Sequence, residues 1–114
     1  MPDCLFCKIR EGQIPAAITY RDEDVLAFKD INPRAPFHIL VIPLKHISSL
    51  VTANPEDAEL LGKIMLAGTQ LARDAGYGDN GFRLVMNAGP DAGQTVFHIH
   101  LHVLAGRALG WPPG

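Results

Sequence analysis

Residues 97–103 alternate between apolar and histidine side chains along their whole length. A period of two is typical of a half-buried β-strand, whose successive side chains point to opposite faces. On such a strand the histidines share one face at intervals of about 6.5–7 Å, and the apolar residues point into a core. Because packing alone gives no reason to group three of the chain's five histidines, we interpret this patch as a functional site. The histidines are His98, His100 and His102, and the apolar residues are Phe97, Ile99, Leu101 and Val103.

The clearest helix of the chain is predicted after Asn54. Asn54 is a favoured N-cap residue, Pro55 suits the first helical position, and Gly76 is typical of the residue after a helix. Between them, apolar residues recur at spacings of three and four, which gives the helix one apolar face. With the histidine segment as the fifth strand, the pattern predicts an α+β fold: a five-stranded antiparallel sheet, one long helix and a short N-terminal helix. The shorter elements are a helix over 5–10 and strands over 18–21, 25–29, 37–42 and 82–87.

The size and charge of the chain exclude several classes of protein. Its 114 residues suit one domain, residues 1–114. The net charge is −2 and the ten Lys and Arg residues form no basic run, so we expect no nucleic-acid partner. No apolar stretch reaches the roughly 18 residues of a transmembrane helix, and the N-terminus lacks the layout of a signal peptide. We therefore expect a cytoplasmic protein that does not bind membranes.

Two kinds of chemistry could use three histidines on one face. One is zinc binding by two of the histidines and a third ligand. The other is nucleophilic catalysis, in which one imidazole attacks phosphorus while its neighbours fix its tautomer or contact the phosphate. The loop at residues 93–95 favours the second, because its backbone N–H groups and hydroxyl could bind an anion. Exposed histidines without a role are the remaining interpretation.

The motif His-x-His-x-His followed by two apolar residues, here residues 98–104, resembles the signature of the histidine triad (HIT) superfamily. The resemblance extends over nearly the whole chain, through residues 4–9, 27–31, 38–43 and Asn87. The C-terminal Trp-Pro-Pro-Gly at residues 111–114 resembles the tail of the Hint branch, the purine nucleoside phosphoramidases. The resemblance implies a single HIT domain with the HIT-like fold.

The resemblance also implies an activity, hydrolysis of the P–N bond of purine nucleoside 5′-phosphoramidates, typically an adenosine 5′-phosphoramidate. His100 would attack the α-phosphorus and form a nucleotidyl-histidine, from which water releases AMP. His102 would contact the phosphate and the leaving amine, while His98 and His38 would hold the histidine array in place. No cofactor is required for this catalysis. Two other functions stay open: a nucleotide-binding regulatory module with incidental turnover, and a zinc-dependent hydrolase.

The substrate contacts follow from the same resemblance. Asn87, Gly93 and Thr95 would bind the phosphate side, and Thr95 departs from the serine that the family more often has. Asp30 would accept hydrogen bonds from the ribose hydroxyls. The resemblance also implies a purine pocket lined by apolar residues, which without the resemblance would be ordinary core candidates. These residues are Phe6, Ile9, Phe28, Ile31 and Leu40.

Hint-type proteins are homodimers, so the resemblance implies that a second copy of this chain is a partner. The C-terminal tail of one subunit reaches toward the active site of the other in that branch. Trp111 would then help to select the leaving group, and a large exposed apolar side chain commonly marks such a contact.

The two cysteines, Cys4 and Cys7, form a C-x-x-C pair, which in a reducing cytosol is more often a metal or redox site than a disulfide. Some bacterial members of the superfamily hold a structural zinc there. By resemblance, its ligands here would be Cys4, Cys7, His46 and His98, a Cys2His2 set. The alternative is two reduced thiols and a surface His46. If zinc is bound, His98 becomes a structural ligand and only His100 and His102 face the substrate.

Overall fold

The computed structural model describes residues 3–114. Met1 and Pro2, which belong to the predicted domain and to the argument on the signal peptide, lie outside the described residues. The predicted α+β architecture is confirmed: five antiparallel strands in the order β1-β2-β3-β5-β4 form one sheet. The elements are α1 (Leu5–Arg10), β1 (Ile18–Arg21), β2 (Val25–Lys29), β3 (Phe37–Pro43), α2 (Ala58–Asp74), β4 (Phe82–Val85) and β5 (Leu101–Ala105).

The two faces of the sheet are covered by different helices. Alternate residues of β2 and β3, such as Ala27 and Val41, pack under α2 in the main core with Ile64. The intervening residues, such as Phe28 and Leu40, face α1 in a second, smaller cluster. The period of two therefore divides each central strand between a structural core and the face that carries the histidines.

The long helix begins later than predicted. Pro55–Asp57 forms a 3-10 turn before α2, and the Asn54 side chain makes no capping hydrogen bond. Instead, the buried carboxylate of Asp57 accepts a hydrogen bond from the Asn54 backbone N–H at 2.9 Å. The predicted end of the helix is close to the observed one, since α2 stops at Asp74. Gly76 then has a φ of 93°, as is typical of a glycine just after a helix. Among the described residues, no helix is long and apolar enough to cross a membrane.

The histidine strand is shorter than predicted. β5 begins at Leu101, so His98 and His100 precede it in a segment that bends. The backbone N–H of Ile99 donates to Ile47 at 2.8 Å, outside the sheet ladder, which draws the segment away from strand geometry. As a result Phe97, predicted to lie in the core, is 51% exposed. The prediction that all three histidines lie on one strand was wrong, because only His102 belongs to β5. The predicted alternation is confirmed for Ile99, Leu101 and Val103, which all pack in the main core.

The strand over 82–87 is also shorter than predicted, ending at Val85 opposite His102. β5 starts at Leu101, one residue before His102, so this register places Met86 opposite the first residue of β5 and leaves Asn87 beyond the end of its partner strand. β3, by contrast, extends through Pro43, one residue beyond the prediction.

Candidate active site

A cleft of about 350 Å³ opens between α1, the end of β2, the middle of β3 and the segment before β5. Nine residues that the sequence analysis assigned to a nucleotide site or to catalysis line it. Seven further lining residues were not predicted: Leu5, Ile14, Pro15, Ala16, Lys29, Asn32 and Val96. The nine predicted residues are Phe6, Ile9, Phe28, Asp30, Ile31, Leu40, Thr95, His100 and His102.

The cleft has an apolar part and a polar part. The rings of Phe6 and Phe28 meet edge to face with centroids 5.4 Å apart. Phe6 also lies edge-on to His100 at 5.1 Å, so the apolar wall continues to the imidazoles. A mostly apolar cleft of this size with a few convergent polar groups is typical of small-molecule sites.

The hydrogen bonds of His100 fix its tautomer. Its Nδ1 lies 2.9 Å from the backbone carbonyl oxygen of His98. A carbonyl oxygen only accepts, so Nδ1 carries the proton and donates. In the neutral ring, Nε2 is then the nitrogen with the free lone pair. His100 therefore brings a nucleophilic nitrogen to the wall of the cleft.

A second chain of hydrogen bonds fixes the tautomers of His38 and His102. The backbone N–H of Arg34 donates to Nδ1 of His38 at 3.0 Å, so the neutral His38 ring carries its proton on Nε2. This Nε2 lies 2.9 Å from Nδ1 of His102 and donates to it. His102 is left with a proton on Nε2, which makes it a hydrogen-bond donor in the cleft.

Burial keeps both of these histidines neutral near pH 7. Burial lowers the pKa of His102 to about 4, with smaller effects in the same direction from His100 and His38. The pKa of His38 is also lowered, mainly by burial, although the carboxylate of Asp30 acts against this. That carboxylate lies 3.3 Å from Nε2 of His38. Neutral rings are what the directional hydrogen-bond chain requires.

Five residues predicted for catalysis or nucleotide binding do not line the cleft, and one of them, His38, hydrogen-bonds to His102, which does. Asn87 and Gly93 do not line the cleft, and neither does Trp111, which is 82% exposed. The His98 side chain is fully buried behind the cleft, and its carbonyl oxygen is its link to His100. Ile31 does line the cleft but is 91% exposed, so it stands at the rim.

The structure brings Cys4, Cys7, His46 and His98 together behind the cleft. Nδ1 of His98 lies 3.4 Å from Sγ of Cys4, 3.6 Å from Sγ of Cys7 and 3.2 Å from Nδ1 of His46. Sγ of Cys7 lies 3.3 Å from Nδ1 of His46. Tetrahedral zinc with thiolate and imidazole ligands places its ligand atoms roughly 3.3–3.8 Å apart, so these four donors fit the ion.

The surroundings of His98 also suit a metal ligand. Its Nε2 donates to the backbone carbonyl of Pro43 at 2.8 Å, which leaves Nδ1 unprotonated and aimed at the cluster. Burial lowers its pKa to about 4, so the ring is neutral. The pKa of the Cys7 thiol is raised, first by burial and then by Cys4. A cation at the cluster would stabilise the thiolate that burial disfavours.

A second cluster of metal-ligand types is formed by His38 and by two residues that line the cleft, Asp30 and His102. Its hydrogen bonds oppose metal binding. The Arg34 N–H occupies Nδ1 of His38, so the neutral ring must carry its proton on the Nε2 that a metal would need. The geometry therefore favours a proton at this cluster and a metal at the cysteine cluster.

Gln94 is a buried polar residue that the site prediction missed. Its side-chain oxygen accepts from the Gly89 N–H at 3.0 Å, and its amide nitrogen donates to the carbonyls of Ser48 at 2.7 Å and Val96 at 3.1 Å. These bonds hold the loop that carries Thr95 against the segment that carries His46. The signal in the sequence was a lone amide residue in a glycine-containing loop.

The chain matches a known protein family and a curated protein over nearly its whole length. Residues 11–109 match the HIT domain family. An uncharacterised HIT-like protein of Synechocystis is 54% identical over 112 residues, which are 98% of this chain and 97% of that protein.

Solved structures of histidine triad proteins share the fold. A HIT family hydrolase from Legionella pneumophila has 49% identity and a TM-score of 0.96, over 98% of this chain and 100% of that chain. A zinc-bound histidine triad family protein from Mycobacterium smegmatis has 39% identity and a TM-score of 0.80, over 93% and 76%. A histidine triad nucleotide-binding protein from Candida albicans has 30% identity and a TM-score of 0.82, over 96% and 83%.

Proposed function

This chain belongs to the HIT domain family, and we propose that it is a purine nucleoside phosphoramidase of the Hint type. Its substrate class is a purine nucleoside 5′-phosphoramidate, such as adenosine 5′-phosphoramidate, and its products are AMP and an amine. The observation that carries the proposal is the hydrogen bond from Nδ1 of His100 to the carbonyl of His98, which leaves Nε2 free to attack phosphorus.

The reaction has two displacement steps at phosphorus. Nε2 of His100 bonds to the α-phosphorus as the P–N bond breaks, and the leaving nitrogen takes up a proton from water and departs as an amine. Water then bonds to phosphorus, the bond to Nε2 breaks, and a proton is released with the nucleoside monophosphate. His102, a donor at Nε2, hydrogen-bonds a phosphate oxygen as negative charge develops there.

The nucleotide lies in the cleft with its base in the apolar part. Phe6 and Phe28 contact the purine, and Asp30 accepts hydrogen bonds from the ribose hydroxyls. Thr95 contacts the phosphate from the exposed loop that Gln94 holds. The named nucleotide-binding function of the Candida albicans protein, which shares the fold, supports this assignment.

We propose that zinc binds at Cys4, Cys7, His46 and His98. The ligand-atom spacing supports the ion, as does the likeness to a zinc-bound protein from Mycobacterium smegmatis. Four protein donors complete a tetrahedral site, which is typical of structural zinc, so the ion ties chain segments together and leaves the chemistry to His100. Native mass spectrometry should find one zinc per chain, and none in Cys7→Ser.

We also propose that two copies of the chain form a homodimer. Leu66 and Met65 are exposed apolar side chains on α2, and Trp111 is exposed at the tail. Contact with a second copy would cover such surface, and Trp111 would then lie near the partner's leaving group. Analytical ultracentrifugation tests this, since a monomer at micromolar concentration would contradict it.

Intact mass spectrometry after a rapid quench tests the reaction class. With adenosine 5′-phosphoramidate, wild-type protein should carry an adenylyl adduct that maps to His100. His100→Gln should form no adduct and release no AMP, while still binding AMP. Undiminished AMP release by His100→Gln would overturn the covalent mechanism. Tight AMP binding without turnover of any phosphoramidate by wild type would favour a regulatory binding module instead.

A further inference from the structure

We propose that metal binding at Cys4, Cys7, His46 and His98 strengthens nucleotide binding in the cleft, with His98 and Cys7 acting as positioning residues. This inference rests on the proposed function, because it requires that the cleft binds a nucleotide. The two sites share structural elements, and three physical links join them.

The first link is the backbone of His98. Its ring is held on one side by the Pro43 carbonyl and on the other by the metal cluster. Its own carbonyl oxygen accepts the hydrogen bond from Nδ1 of His100 at 2.9 Å. A metal that fixes the His98 ring therefore also fixes the group that orients the nucleophile.

The second link is helix α1. It has six residues, and a helix of that length is not stable alone in water. Cys7, on this helix, reaches the metal cluster, while Phe6 and Ile9 of the same helix line the cleft. The ring of Phe6 also lies edge-on to His98, with centroids 6.0 Å apart. A metal bound to Cys7 would anchor one wall of the base pocket.

The third link runs through the segment that carries His46. The carbonyl of Ile47 accepts from the Ile99 N–H at 2.8 Å, between the two histidines of the bent segment. The carbonyl of Ser48 accepts from the Gln94 amide at 2.7 Å, and Gln94 holds the loop of Thr95. Anchoring His46 to the metal thus steadies the phosphate side of the cleft as well.

Coupling between two sites is reciprocal. If the metal tightens AMP binding by some factor, AMP must tighten metal binding by the same factor. Couplings carried by shared elements of this kind are typically about 5- to 150-fold. We expect the Kd of AMP to rise by a factor in this range when zinc is removed.

Calorimetric titration of AMP into zinc-loaded and zinc-stripped protein tests the proposal. Hydrogen exchange on the same samples should show that the sheet amides stay protected in the stripped protein while α1 loses protection. Equal AMP affinities in the two forms would overturn the coupling alone. Absence of AMP binding to the zinc-loaded protein would overturn the proposed function and this inference with it.

Zinc release offers a second measurement that needs no folded metal-free protein. The rate at which a chromophoric chelator removes zinc from the loaded protein should fall when AMP is added at saturation. An unchanged rate, together with an unchanged zinc affinity measured by equilibrium competition with the same chelator, would overturn the coupling.

Two neighbouring substitutions separate positioning from general helix damage. Cys7→Ser removes a metal donor, so it should weaken AMP binding as zinc removal does and abolish the response to added zinc. Lys8→Ser introduces the same side chain at the next position of α1, outside both sites, and should keep both properties. Equal AMP affinity in the two variants would contradict the proposal.

Discussion

Nε2 of His38 lies 2.9 Å from Nδ1 of His102, and the backbone N–H of Arg34 decides which of the two rings carries the shared proton. Because a backbone N–H can only donate, Nδ1 of His38 must accept and the proton stays on Nε2. The direction of the whole chain is thus set by a main-chain group in the loop between β2 and β3. His102 receives the bond and presents its own N–H to the cleft.

Substitution of Arg34 can test this directionality, because the group that matters is its backbone. Arg34→Pro removes the N–H, and loss of a hydrogen bond worth about 1 kcal/mol should lower kcat for adenosine 5′-phosphoramidate roughly fivefold. KM should change little, since Arg34 does not line the cleft. Arg34→Ala keeps the N–H and should retain wild-type kcat. Steady-state kinetics and melting curves of both variants check this, and equal kcat values would count against the hydrogen-bond chain.

Burial of His102 makes stability depend on pH in acid. Its pKa is about 4 in the folded protein, below the 6.5 of an unburied histidine. Between these values the unfolded state binds the extra proton, so the free energy of unfolding should fall as pH drops from about 6.5 to about 4 and level off above. We expect the free energy of unfolding, measured by urea titration at several pH values, to fall more steeply with decreasing pH in wild type than in His102→Gln. The difference in slope should be up to about 1.4 kcal/mol per pH unit. Parallel slopes would mean that His102 is not held neutral by the fold.

The sequence predicted the regular elements well because their patterns are local. The bounds of α1, β1 and β2 agree with the structure, since turn residues and alternation mark them. The bend before β5 could not be predicted in this way. It depends on Ile99 donating to Ile47, a contact between residues far apart in the chain. The alternation of residues 97–103 therefore indicated a strand where tertiary contacts impose a bend.

The sequence predicted many residues of the candidate site but not the hydrogen bonds that set their tautomers. The family motif identified His100 and His102, and the structure brings both to the cleft. The tautomers depend on backbone groups of His98 and Arg34, whose positions no residue pattern reveals. Gln94 was missed for the same reason, because its partners are backbone atoms whose approach is set only by folding.

Two glycines of α2 should respond in opposite directions to alanine. A Cβ at Gly68 would lie 2.9 Å from a methyl group of Val103 and 3.1 Å from one of Leu101, so β5 leaves it no room. Overpacking of this kind costs about 1–3 kcal/mol, against about 1 kcal/mol gained in helix propensity. Gly62 has nothing within 4 Å of its Cβ position. Chemical denaturation should therefore find Gly68→Ala less stable than wild type and Gly62→Ala more stable by up to about 1 kcal/mol. Stabilisation by both substitutions would show that α2 lies farther from β5 than the distances at Gly68 indicate.

Loss of the Gln94 side chain should damage both stability and phosphate-side binding. Gln94→Ala leaves the half-buried Gly89 N–H and the half-buried Ser48 and Val96 carbonyls without their partner, and loss of such hydrogen bonds costs about 0.5–1.5 kcal/mol each. Gln94→Glu should not rescue it, because a carboxylate cannot donate to the Ser48 and Val96 carbonyls. Ser48→Ala is the matched control, since Gln94 contacts only its backbone carbonyl. KM for the phosphoramidate should rise in both Gln94 variants and stay unchanged in Ser48→Ala. A rescue by Gln94→Glu would contradict the donor role.

Asp30 should give the cleft a preference for ribose over deoxyribose. Asp30 lines the cleft, and its Oδ1 accepts a hydrogen bond from the Asn32 backbone N–H at 2.8 Å, which fixes the side chain. A hydrogen bond to a charged group is worth about 1.5–3 kcal/mol, so wild type should bind AMP roughly ten- to hundredfold more tightly than 2′,3′-dideoxy-AMP. In Asp30→Ala the two affinities should converge, through loss of AMP binding. Asp79→Asn, a change at an exposed aspartate far along the chain, should leave the ratio at its wild-type value. Calorimetry with the two nucleotides measures the ratio, and a preference that survives in Asp30→Ala would exclude this carboxylate as the ribose acceptor.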